Sequence, residues 1–120
     1  KPVVLVFYPG DDTPVCTKQL NTYNNELSEF EQLDAQVLAI SAQDVSSHED
    51  FSGKHGFKFP LLADVNKEVA ALYGTLGPLG FPRRSVFVVD RQGKIVYAHR
   101  ALAGLTFRSV DDITAAIKKC

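Results

Sequence analysis

The segment 7–20, FYPGDDTPVCTKQL, sets Cys16 three residues after Thr13 and two after Pro14. Thr favours the position just ahead of a helix and Pro favours the first helical position, so Val15 and Cys16 are expected as the second and third residues of a helix. A sulfur there lies beside backbone N–H groups that have no partner within the helix. The chemistry this address suits is that of a thiolate nucleophile. The helix dipole favours the anion by only about 0.3–1 kcal/mol. A guanidinium ~4 Å away contributes about 4 kcal/mol at an effective dielectric of 20, so an arginine is the decisive partner. The pair Arg83-Arg84 stands where a glycine- and proline-rich turn enters a predicted strand, and strand ends in α/β sheets converge with helix starts on common sites.

The elements that must bring these groups together are legible in the periodicity. Residues 3–8, VVLVFY, are apolar on both faces and stop at Pro9-Gly10, which reads as a buried parallel strand. From 14 to about 33, Cys16, Leu20, Tyr23, Leu27, Phe30 and Leu33 recur every three or four residues, predicting one amphipathic helix. Residues 36–41 (QVLAIS) read as a second strand and 47–55 as a short helix capped by Ser47. Residues 59–62 form a short extended piece. Asp64 is expected to cap a helix through Val69, Leu72 and Tyr73 that ends at Gly74. Residues 85–89 and 94–98 read as antiparallel strands joined by Asp90-Arg91-Gln92-Gly93, and a last helix starts near Ser109 and ends at Lys118-Lys119. The order β-α-β-α-β-α-β-β-α predicts an α/β protein, a thioredoxin-like α/β/α sandwich around a central mixed β-sheet.

A chain of 120 residues is expected to form one domain, 1–120, burying roughly 65% of its unfolded surface. Hydrophobic residues make up 45% and charged residues 22%, values of ordinary globular chains. With 13 basic and 14 acidic residues and no block of like charge, neither nucleic acid nor membrane is an expected partner. Cys16 and Cys120 are too few for a disulfide scaffold and lack zinc spacing. His48, His55 and His99 lack ligand spacing and are expected at the surface, so no metal is called. GPLG, with Gly77 and Gly80, lacks a nucleotide-loop pattern, and no organic cofactor is called either. The chain has no Met and opens at Lys1 in an apolar run, which reads as a trimmed product with any targeting segment out of view.

The spacing Pro9-x-x-x-Thr13-x-x-Cys16 resembles the PxxxTxxC signature of peroxiredoxins in the AhpC/TSA superfamily. FYPGDDTPVCTKQL is similar above all to the bacterioferritin-comigratory, PrxQ-type branch. Arg84-Ser85-Val86-Phe87, the FPLLAD stretch at 59–64 and the LYG stretch at 72–74 also resemble that branch. The resemblance implies a thiol peroxidase acting on hydrogen peroxide and organic hydroperoxides. In it Cys16 becomes a sulfenic acid, Thr13 positions the peroxide, Arg84 stabilises thiolate and developing oxyanion, and Pro9 shields the sulfur. Two departures stand out: Asn21 occupies the place where the branch often carries a resolving cysteine, and the family's N-terminal hairpin is absent. The remaining thiol, Cys120, resolves Cys16 if the chain end reaches it, in the same or a neighbouring subunit. Otherwise thioredoxin or a small thiol reduces Cys16 directly. The expected assembly is a monomer or weak homodimer, and the expected compartment is the cytoplasm, or an organelle if a targeting segment has been removed. Two rivals remain: a thioredoxin-like disulfide reductase, disfavoured because Gln19 stands where Cys-x-x-Cys needs its second cysteine, and a noncatalytic binding module of the same fold.

Overall fold

The computed structural model describes residues 1–11, 13–76, 83–100 and 107–119. The apolar run Val3–Phe7 forms β1, and the chain then enters helix α1 at Pro14–Asn25 and helix α2 at Leu27–Gln32. One amphipathic helix was expected here; two are present because Glu26 leaves helical geometry at φ −109 and ψ 21. Asn24 and Asn25 are weak helix formers at the break. Asn24 is also engaged elsewhere, donating to the Gly56 carbonyl at 3.2 Å and accepting from the Lys58 N–H at 2.9 Å.

Strand β2 covers Gln36–Ser41 and helix α3 covers Val45–His55. The cap of α3 is Asp44, not Ser47: its carboxylate accepts from the Ser47 N–H at 2.8 Å. A carboxylate satisfies the same orphan donors as a serine hydroxyl, with a favourable charge at the dipole's positive end. Strand β3 is Leu61–Ala63, and helix α4 is only Glu68–Leu72. Asp64 caps α4 from a distance, its two oxygens accepting from Val69 N–H at 3.2 Å and Ala70 N–H at 2.9 Å. Strand β4 is Ser85–Val89, and β5 runs over Ile95–Arg100, two residues beyond its expected end. Their connection holds because Asp90 accepts from the N–H groups of Gln92 and Lys94, both at 2.9 Å, and Gly93 takes φ 83. Helix α5, Val110–Lys118, begins at Ser109, whose hydroxyl accepts from the Asp112 N–H at 3.2 Å.

The five strands form one sheet in the order β3-β2-β1-β4-β5, with β1, β2 and β3 parallel and β4 and β5 antiparallel to their neighbours. The mixed sheet of a thioredoxin-like fold is therefore present as expected. Period-two alternation divides its faces. Val4, Val6, Tyr8, Val37, Ala39, Val86 and Val88 pack under Leu20, Tyr23, Phe30, Phe51 and Ile113 of α1, α2, α3 and α5. Leu5, Phe7, Ile40 and Phe87 line the other face, where Ala70 and Tyr73 at α4 cover them. The two layers are unequal among the described residues, since one face carries four helices and the other a single short one.

One register fixes the position of the functional groups. β1 and β4 pair antiparallel with Phe7 opposite Ser85, so the end of β1 and the start of β4 lie side by side. The thinner face depends on Phe87, fully buried and edge-on to Phe7 and Tyr73, with the Arg100 guanidinium 5.0 Å from its ring centre. Truncation Phe87→Ala is expected to cost about 3–5 kcal/mol, as large-to-small changes of buried aromatics do. Urea unfolding should show the lowered midpoint with an unchanged slope; a shift under about 1 kcal/mol would remove Phe87 from the core.

Candidate active site

Thr13 precedes α1 with extended backbone, φ −88 and ψ 152, and Pro14 opens the helix as its spacing predicts. Thr13's carbonyl accepts the first helical bond from Thr17 N–H at 2.8 Å. Its hydroxyl does not cap the helix; it donates backwards to the Gly10 carbonyl at 2.9 Å and so closes the loop between β1 and α1. That leaves the oxygen's lone pairs as acceptors at the helix start.

Cys16 has no exposed surface. Arg84, 4% exposed, reaches it from the start of β4 and donates Nη2–H to Sγ at 3.3 Å. At that separation the Coulomb attraction of a thiolate is about 5 kcal/mol at an effective dielectric of 20, several times the helix-dipole contribution. Arg84, rather than Arg83, does this because it shares strand parity with Val86 and Val88, which face α1; Arg83 is half-buried and its N–H bonds to the Thr75 carbonyl at 2.6 Å. Pro9 stands two residues past the end of β1 and is half-buried. Cys120 lies outside the described residues, as do Gly77 and Gly80 of the glycine-rich turn.

Gln19 does more than fill a vacant Cys-x-x-Cys position. It is fully buried, and its Oε1 accepts from Arg84 Nη1 at 2.6 Å, one helical turn after Cys16. Its Nε2 donates to the Tyr23 hydroxyl at 3.2 Å, which in turn donates to the Arg108 carbonyl at 2.6 Å. Residues 16, 19, 20 and 23 all lie on the buried stripe of α1, so helical spacing alone could have flagged an inward glutamine. Burial pushes the Tyr23 phenol up to about 12, the Gln19 hydrogen bond opposing, and it stays a neutral donor.

A second polar cluster flanks the loop on its other side. Asp11 accepts from Tyr8 and Ser47 hydroxyls at 2.6 and 2.7 Å and pairs with His48 at 2.8 Å. His48 is thus not the surface residue expected from sequence; it is 3% exposed. Its spacing of three from Phe51 on α3 was the available signal. No group of three or more His, Cys, Asp or Glu side chains suited to a metal occurs among the described residues.

The sequence pattern of the AhpC/TSA family matches residues 1–98. The chain is 37% identical over 106 residues to "Peroxiredoxin Q, chloroplastic" of Oryza sativa subsp. japonica, covering 82% of this chain and 46% of that protein. It is 38% identical over 94 residues to the Arabidopsis thaliana protein of the same name, covering 77% and 44%. The chain spans about half the length of the curated relatives it matches. Among solved structures, the Xanthomonas campestris bacterioferritin comigratory protein, described for its alkyl peroxide reduction activity, superposes with a TM-score of 0.86 at 32% identity. That match covers 98% of this chain and 78% of the other. Mycobacterium tuberculosis AhpC gives 0.88 at 28% identity, covering 98% and 68%.

Two outcomes follow from the geometry. Arg84→Gln should slow alkylation of Cys16 by iodoacetamide at pH 7 at least about tenfold, since it removes the cation that favours thiolate; an unchanged rate would detach Arg84 from the sulfur. Tyr23 ionises near its ordinary 10.0 when unfolded and near about 12 when folded, so its contribution to stability is intact below pH 10 and is lost as pH rises through 12. Urea midpoints should accordingly fall more steeply between those limits in the parent protein than in Tyr23→Phe.

Proposed function

Because the chain belongs to the AhpC/TSA family, in its peroxiredoxin Q branch, we propose that it is a thiol-dependent peroxidase with Cys16 as the peroxidatic residue. The observation that carries the assignment is the buried guanidinium of Arg84 on Cys16 Sγ at 3.3 Å, at the first turn of α1. In the proposed step the thiolate attacks one peroxide oxygen. An S–O bond forms, the O–O bond breaks, and the departing oxygen takes a proton to leave as water or an alcohol. The sulfur loses two electrons and becomes sulfenic acid. Arg84 donates to the sulfur in the ground state and to the developing oxyanion in the transition state. Thr13, whose own proton is committed to Gly10, accepts the peroxide O–H and aligns it. Pro9 excludes water from the loop side.

The substrates proposed are hydrogen peroxide and organic hydroperoxides, and the reductant is a thioredoxin-type protein or a small thiol. Cys120 is proposed as resolving residue only where the chain end reaches Cys16. We propose one domain over 1–120, and a monomer or weak dimer as its assembly. The named plant relatives are chloroplastic, which supports the organellar compartment over the cytoplasmic one. Disulfide reductase action is not favoured, because Gln19 is occupied in holding Arg84.

Adding one equivalent of hydrogen peroxide to the reduced protein should raise its intact mass by one oxygen, or remove two hydrogens if Cys120 engages. Cys16→Ser should abolish both changes and all peroxide consumption. Peroxide turnover retained by that variant would end the assignment, as would insulin reduction by the parent protein that proceeds efficiently without peroxide.

A further inference from the structure

We propose that His48 is a positioning residue for the loop carrying Thr13 and Cys16, acting through Asp11 as an imidazolium. The argument starts from hydrogen-bond chemistry. His48 Nδ1 lies 2.8 Å from Asp11 Oδ2, and Nε2 lies 3.0 Å from the Leu62 carbonyl oxygen on β3. A carboxylate and a carbonyl only accept, so both ring nitrogens must donate, and only the cationic ring carries two N–H groups. The site is closed to water: the two side chains are 3% and 5% exposed. A buried carboxylate and a buried imidazolium then neutralise each other.

Asp11 is the means by which this pair reaches the reactive loop. It stands two residues before Thr13, and its backbone N–H donates to Gln43 Oε1 at 3.0 Å. Gln43 is itself held by the Ser41 hydroxyl at 2.6 Å. The Asp11 carboxylate gathers Tyr8, the residue after β1, and Ser47 and His48 from α3, so three donors fix the loop between β1 and α1. Gly10, inside that loop, is the acceptor for Thr13. A displacement at Asp11 is therefore transmitted through one peptide to the acceptor that sets the Thr13 hydroxyl.

The surroundings of the ring support the same protonation. The groups facing His48 are Asp11 from the loop and Tyr8, the residue after β1, whose hydroxyl lies 3.4 Å from Nδ1; β3 offers only a carbonyl, and Asp44 at the start of its own helix is committed to the cap. Burial, followed by the Asp11 hydrogen bond, pushes the Tyr8 phenol up, so it remains a neutral donor. The hold is complete while the ring keeps both protons. A neutral ring would have to abandon either Asp11 or Leu62.

The effect on peroxide rate rests on the peroxidase reading; the charge state does not. Nitrogen-15 NMR of the histidine rings in the parent protein should show both His48 nitrogens protonated at pH 7, and a single protonated nitrogen would overturn the proposal. Peroxide oxidation and iodoacetamide alkylation of Cys16 would then be timed at pH 7 for the parent, His48→Gln, Asp11→Asn and the double variant. Misplaced reacting groups cost up to about 10²-fold, and a loss of about tenfold is expected for His48→Gln. In the Asp11→Asn background the same change should cost almost nothing, since the path is already cut. Equal costs in both backgrounds, or a His48→Gln protein that reacts with both reagents at the parent rate, would overturn the role. A parent protein that alkylates readily yet ignores peroxide would refute the peroxidase reading alone, and the alkylation rates would still decide the part played by His48.

Discussion

Everything at the reactive end of this molecule depends on burying a guanidinium against a sulfur. A cation that leaves water needs acceptors in place before it arrives, or the desolvation cost is unmet. Arg84 finds two on a single helix, Cys16 Sγ and Gln19 Oε1, one turn apart. That requires α1 to start at Pro14, β4 to start at Ser85, and β1 to lie between them in a register that puts Phe7 opposite Ser85. The antiparallel pairing of β4 with β1 thus has a chemical consequence. Had β4 run parallel, Arg84 would stand at the far end of the sheet from Cys16.

The loop between β1 and α1 is held from two sides by different physics. On the α1 side the contacts are directional hydrogen bonds, running from the charged Arg84 through Gln19 and Tyr23 to the Arg108 carbonyl. On the α3 side a buried carboxylate collects Tyr8, Ser47 and His48. Both networks sit within or beside the larger apolar cluster, whose Val4, Val6 and Val86 supply the rigid floor. A low-dielectric surround strengthens each such hydrogen bond and raises the cost of leaving one unmade, which suits a loop that must keep one shape.

What was legible in the sequence is what repeats along the chain. Strand alternation and helical spacing located the mixed sheet, the start of α1, the start of α5 near Ser109 and the address of Cys16, because each depends on neighbours a few residues away. The same local logic separates Arg84 from Arg83 once Val86 and Val88 are known to face α1. The single helix expected over 14–33 failed at Glu26 because Asn24 bonds to Gly56 and Lys58, partners more than thirty residues distant. His48 was misplaced for a related reason: a polar residue on an inward position reads as surface until its partner, Asp11, is brought against it by the fold. Contacts at long sequence separation leave no period to read.

The complete burial of Cys16 makes its reactivity a gauge of motion. A reagent too large for the closed site can meet the sulfur only during those intervals when the first turns of α1 come away from the sheet. If reclosing outpaces reaction, the modification rate by a bulky disulfide reports the fraction of time spent open; if reaction wins, it reports the opening rate itself. Cys16 is in that respect a built-in timer for local unfolding, comparable to a protected amide proton, and it can be read by mass alone.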